Sequence, residues 1–124
     1  MELSDEQTAK IVAMAMELAR EGSTAEVLEL VDHGLPVDTQ DAEGNTMLML
    51  AAYHGRADTV RALVGRGADV DLRNARDQSP IAGALFKGED AVVAVLREAG
   101  ADLDSGTPSA RVTAEMFGRG HLLG

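Results

Sequence analysis

The segment Gly67-Ala68-Asp69-Val70-Asp71 returns as Gly100-Ala101-Asp102-Leu103-Asp104, 33 residues later. The same offset carries Gly55 onto Gly88, Val60 onto Val93, Leu63 onto Leu96 and Ala51 onto Ala84. Taken backwards, it carries Gly55 onto Gly22, Val60 onto Val27, Leu63 onto Leu30, Gly67 onto Gly34 and Asp71 onto Asp38. Taken forwards from the third copy, it sets Ser79 on Val112 and Ala84 on Phe117, and then the chain stops. A period of this length means that each copy is one small unit unable to bury its apolar face alone, so that the units must stack. The chain holds about three and a half of them.

Within a unit the apolar spacing is helical. Leu48, Ala51 and Ala52 fall at i, i+3 and i+4, on one helical face, and Gly55 follows as a terminator. A second stripe, Val60, Leu63 and Val64, opens near Ala57-Asp58 and is closed by Gly65 and Gly67. Its Asp58 lies at the positive end of the helix dipole. Helices this short are marginal in isolation and depend on their neighbours. The first unit opens with Ser4-Asp5-Glu6-Gln7, a capping box, and runs on through Ile11, Met14, Ala15 and Leu18 to Arg20. That longer helix, with Glu2, Asp5, Glu6, Lys10 and Glu17 on its outer side, reads as a cap on the stack. Ser23-Thr24-Ala25-Glu26 reads as a second capping box, ahead of Val27, Leu30 and Val31. At the far end, Thr113 to Arg119 is expected to form a last helix. His121 to Gly124 is then too short to supply its partner, which would leave Phe117, Leu122 and Leu123 uncovered.

Composition removes several classes of function. With no Cys among its 124 residues, the chain has no thiol nucleophile, thiolate zinc site or disulfide. No apolar run approaches the roughly 20 residues of a membrane span, and the acidic N-terminus lacks a signal-peptide pattern, so a soluble cytoplasmic chain is expected. The net charge of −10 opposes a phosphate backbone, and no nucleic-acid partner is expected. Most of the excess lies in residues 1–45, where Lys10 and Arg20 face eleven acids. That third serves either solubility or a partner with a basic surface. Met14, Met16, Met47 and Met49 recur at equivalent positions and read as adaptable core filler.

A 33-residue helix–turn–helix unit with an extended turn is the ankyrin period. Thr46-Met47-Leu48-Met49-Leu50-Ala51 keeps the Thr, Leu and Ala of the T-P-L-H-x-A signature, and Ser79-Pro80-Ile81-Ala82-Gly83-Ala84 keeps its Pro and final Ala. With Leu63-Val64-Gly65-Arg66-Gly67-Ala68-Asp69-Val70-Asp71 as the unit's tail, the chain resembles the ankyrin-repeat family over nearly its whole length. No unit carries the signature His. Asp77 replaces the turn Gly, and Gly83 within a helix loses about 1 kcal/mol relative to Ala, making the third unit the softest.

The resemblance implies an all-α solenoid of stacked helix–turn–helix units with short extended hairpin turns. It would be one domain over residues 1–124, with units near 4–40, 41–73 and 74–106 and a partial unit 107–124. It also implies a monomeric, non-catalytic module that binds another protein through a concave surface of hairpin tips and first helices. Carried over position by position, that surface comprises Arg20 and Glu21; Ala42, Glu43, Asn45, Tyr53 and His54; Arg73; and Ala75, Arg76, Gln78, Phe86 and Lys87. Tyr53 and Phe86, 33 apart, should be stacked neighbours, either packing residues or an aromatic anchor pair. The role would be adaptor or inhibitor, including the immunity type. The alternative is a structural protein that self-assembles through its apolar C-terminal end.

Catalytic patterns fail on inspection. Asp104-Ser105-Gly106-Thr107 resembles an aspartic-protease loop, but Asp104 is in register with Asp71 and Asp38 and belongs to the repeat. Asp69-x-Asp71 begins like a calcium loop, yet Pro80 stands where the bidentate Glu is required. His33, His54 and His121 lack metal-ligand spacing, and Gly65-Arg66-Gly67 is no phosphate cradle. No enzyme activity, metal or cofactor is expected.

Overall fold

The computed structural model describes residues 3–124, so Glu2 lies outside the described residues. They form seven α-helices, α1 (Asp5–Glu21), α2 (Thr24–Asp32), α3 (Met47–Tyr53), α4 (Ala57–Gly65), α5 (Pro80–Lys87), α6 (Asp90–Glu98) and α7 (Ala110–Met116), followed by a 3-10 turn (Gly120–Leu123). Among the described residues no helix is long and apolar enough to cross a membrane. First helices α1, α3, α5 and α7 pack in succession as one layer, and second helices α2, α4 and α6 as another. Val27, Val60 and Val93 line the seam between them, at most 1% exposed, with Leu63 and Leu96 beside them. Each such side chain contributes about 1.5–3 kcal/mol by leaving water. In the first-helix layer, Leu48, Ala51, Ile81, Ala84, Leu85, Ala110 and Ala114 are buried, and the small Ala side chains leave room for neighbouring helices.

The two kinds of helix begin differently. Hydroxyls of Ser4, Thr46, Ser79 and Ser109 accept from the amides of Gln7, Met49, Ala82 and Val112, so every first helix is capped. Ser4 and Gln7 form the full reciprocal box. The expected box at Ser23 does not form: Ser23 makes no side-chain cap bond, and neither do Arg56 and Glu89 at the same point of later units. All three have φ near −80 to −90° and ψ near 70 to 80°, because the chain enters each second helix through a tight turn centred on Gly22, Gly55 or Gly88. Thr24 instead meets Thr59 of the next unit, oxygen to oxygen at 2.7 Å.

Further expectations need correction. The buried face of α1 is Val12, Ala15, Met16 and Ala19, leaving Met14 half exposed. Met16, Met47 and Met49 are core, whereas Met14 lines a surface hollow with Leu18 and Leu30. Gly65 is the last helical residue of α4, and Gly67, with φ 87°, makes the turn. The last unit also runs in a different register. Ser79, Ala84 and Gly88 correspond to Ser109, Ala114 and Gly118, an offset of 30. Three residues are missing from the final hairpin, so Phe117 does not take the place of buried Ala84. The closing 3-10 turn packs Leu122 and Leu123 half-buried against the core, tied by Arg97 Nη1 to the Leu122 carbonyl at 3.3 Å. Leu122 and Leu123 are therefore partly covered, while Phe117 stays exposed and turns towards the first-helix face.

The hairpins between units form their own stack. Asp41 Oδ1 accepts the amides of Glu43 and Asn45, and Asn74 Oδ1 those of Arg76 and Gln78, closing two equivalent turns. The left-handed residue is Gly44 (φ 78°) in one and Asp77 (φ 60°) in the other. Asp77 holds that unfavourable backbone with an ion pair to Arg73 at 2.9 Å and a hydrogen bond from the Thr107 hydroxyl at 2.7 Å. Hairpin joins hairpin through Ala75 N–H to the Glu43 carbonyl and Thr107 N–H to the Asp77 carbonyl, both 2.9 Å.

Candidate functional site

The first helices and hairpin tips carry two grooves, both mainly apolar in lining and differing in the charged groups around them. The first, about 680 Å³, lies between α1 and the first hairpin. Ala9, Val12, Ala13 and Met16 supply apolar lining, Asp5, Glu17 and Asp41 supply acid, and Arg20 and Ala42 complete the wall. The second, about 350 Å³, lies across α3, α5 and α7, lined chiefly by Tyr53, Gln78, Gly83, Phe86, Met116 and Phe117.

The second groove is built around three aromatic rings. Tyr53 and Phe86 lie nearly parallel, centroids 6.4 Å apart and planes at 17°, and Phe117 meets Phe86 edge to face at 5.3 Å. The repeat puts the first two in line, and the shortened last hairpin brings the third to them. Lys87 Nζ stands 5.1 Å above the Tyr53 ring, and the Arg119 guanidinium 5.5 Å from the centre of Phe117. Such contacts hold a cation at an apolar rim. His54 packs edge to face on Tyr53 at 5.6 Å. Desolvation there, with the charges of Arg20, Lys87 and Arg56, keeps its imidazole below the ordinary histidine value.

The residues expected at a binding surface thus divide. Arg20 and Ala42 line the acidic groove; Tyr53, Gln78 and Phe86 line the aromatic one, with Lys87 at its rim. Glu21, His54 and Ala75 are exposed, as are the hairpin residues Glu43 and Arg76, which pair at 3.8 Å. Two others are engaged within the hairpins. Asn45 Oδ1 accepts from Asn74 Nδ2 at 3.0 Å, and Arg73 is held by Asp77. The period alone did not point to Asp5, Val12, Met16 and Glu17, or to Thr113, Met116 and Phe117. The N-terminal set was signalled by the length of α1, the C-terminal set by the 30-residue spacing of Ser79 and Ser109.

These features define a stacked helical-repeat solenoid with two grooves on its first-helix face. A family model described as "Ankyrin repeats (3 copies)" matches residues 12–107. The chain belongs to the ankyrin-repeat family, whose members are in general protein–protein interaction modules. Among solved structures it is similar to the human ASB11 ankyrin repeat domain, with 27% identity and a TM-score of 0.68, over 72% of this chain and 40% of that one. The match therefore covers less than half the length of that relative. No curated protein sequence matches it.

Proposed function

We propose that the chain, acting as one domain over residues 1–124 and as a monomer in the cytoplasm, binds a protein partner through its concave hairpin and first-helix face without catalysing a reaction. The observation that carries this is the pairing on one face of an acid-lined groove and an aromatic groove rimmed by cations. A scaffold face with that polarity selects both a partner and its orientation, because charge fixes approach and aromatic anchors fix residence. Asp5, Glu17 and Asp41 support an inhibitor or immunity-type role that masks a basic surface. The exposed apolar rings of the second groove also suit an adaptor.

The test uses a partner recovered from source cells and measured by surface plasmon resonance. Asp5→Asn with Glu17→Gln and Asp41→Asn should slow association and flatten its salt dependence. Tyr53→Ala with Phe86→Ala should speed dissociation while the fold persists. Kinetics unchanged in both sets, with circular dichroism intact, would remove this face from the interaction. Light scattering at high concentration tests the monomer, and a concentration-dependent mass would instead favour self-assembly.

A further inference from the structure

The aromatic groove has a defect that its apolar lining does not explain. Thr113, one of its lining residues, is 3% exposed, and its Oγ1 is buried without a hydrogen-bond partner. Among the described residues it is the buried side-chain polar atom left in this condition. A buried hydroxyl without a partner loses its water and gains nothing in return, so a ligand that brings a polar atom to it recovers that loss.

The groove is small. At about 350 Å³ it stands near the lower limit for ligand sites, room for one large side chain and not for a helix. Its rings include exposed Phe86 and Phe117, beside Met116 at 66% exposure, which is a concentration of apolar surface on an otherwise strongly charged chain. Its cations are also unmatched by carboxylates, with Arg119 donating from Nη1 to the Leu85 and Phe86 carbonyls. Arg73 and Arg76 are paired with Asp77 and Glu43, whereas Lys87 and Arg119 make no ion pair among the described residues. They sit against Tyr53 and Phe117 at the rim, where they meet whatever flanks the inserted side chain.

We propose that the groove takes a tyrosine side chain from an acidic segment of a protein partner. This deepens, and rests on, the reading of the concave face as the binding surface. The ring packs against the Phe86–Phe117 pair, the phenol oxygen bonds the Thr113 hydroxyl, and the flanking carboxylates lie over Lys87 and Arg119. The acidic first groove repels such a segment, so it docks at the C-terminal half and the partner's basic surface at the N-terminal half.

The experiment is a nuclear magnetic resonance titration of the full, isotope-labelled chain with three capped peptides, EEYEE, EEFEE and KKYKK. EEYEE should shift the amides of Phe86, Lys87, Thr113 and Phe117, and EEFEE should bind about fivefold more weakly, the worth of one hydrogen bond. Thr113→Val should erase that difference, and Lys87→Glu should weaken EEYEE several-fold. KKYKK should move Asp5, Glu17 and Asp41 instead. If KKYKK moves those amides and EEYEE moves none, the tyrosine groove is wrong while the concave-face reading stands. If neither peptide shifts either groove, both fail. Equal binding of EEYEE and EEFEE, or of EEYEE and phenol alone, also overturns the proposal.

Discussion

The carboxylate of Glu89 rests against Gly55, at the carboxyl end of α3. The equivalent side chains elsewhere are arginines. Arg56 packs on Gly22 and donates from Nε to the Arg20 carbonyl at 3.0 Å, and Arg119 packs on Gly88 and donates from Nη1 to the Leu85 carbonyl at 3.1 Å. A cation there satisfies terminal carbonyls and complements the helix dipole, and an anion opposes it. Glu89→Arg should therefore stabilise the fold by about 0.5 kcal/mol, a rise in melting temperature of about 2 °C. Arg56→Glu should lower it. Thermal unfolding of the two variants against the parent checks both signs.

Gly83 lies within α5 beneath Tyr53. A methyl group there would meet Tyr53 Cδ1 at 3.4 Å, ordinary contact, so nothing forbids a side chain. Gly83→Ala should stabilise the chain by about 0.5–1 kcal/mol through helix propensity alone. Hydrogen exchange should slow across α5. The same methyl reduces the aromatic groove, so the variant should bind an aromatic ligand less well while being more stable. A destabilised variant would mean that the ring above cannot yield.

One repeat position does two jobs along the stack. Asp38 Oδ1 accepts the amide of Asp69 at 2.9 Å, and Asp71 Oδ1 accepts that of Asp102 at 2.8 Å, each joining one unit's tail to the next. Asp104, third in the series, has no further tail to join and pairs with Arg111 at 2.9 Å on the surface. Asp71→Ala should cost about 0.5–1.5 kcal/mol, the net worth of one hydrogen bond between units. Asp104→Ala should cost under about 0.5 kcal/mol, the worth of an exposed ion pair. Urea unfolding with a shared slope separates them.

The parts of this molecule that were legible in its sequence are those set by one unit and its copy. Val27, Val60 and Val93 announce the seam because a period maps like onto like, and Tyr53 and Phe86 stack for the same reason. What the period hides is what breaks it. The three residues lost before Ser109 carry Phe117 to Phe86 and leave Thr113 in the groove, and a fixed offset of 33 instead assigns Phe117 to a buried site. The capping box at Ser23 fails for a related reason. Its residues are right, but the turn at Gly22 fixes backbone angles that deny its hydroxyl the amide. Arg56, Glu89 and Arg119 act across units, so their roles depend on stacking geometry that no single helix reveals.

Acid should weaken the fold in two stages, both with the same sign. His54 is held below its ordinary value of 6.5, first by desolvation against Tyr53 and then by Arg20, Lys87 and Arg56. Between 6.5 and its lower folded value the unfolded chain takes up a proton that the folded chain does not. Stability is therefore complete above 6.5 and is lost as pH falls through that window. Asp32 follows at lower pH. Its carboxylate receives two hydrogen bonds from Arg66, at 2.8 and 3.1 Å, which hold it below the ordinary 3.8, so its contribution disappears only as pH falls further. Both partners are well exposed, and the second stage should be the smaller. His54→Gln should flatten the stability profile just below pH 6.5 while leaving the decline at lower pH, and Asp32→Asn should do the reverse. If His54→Gln retains the parent slope in that range, the imidazole is not the group responsible.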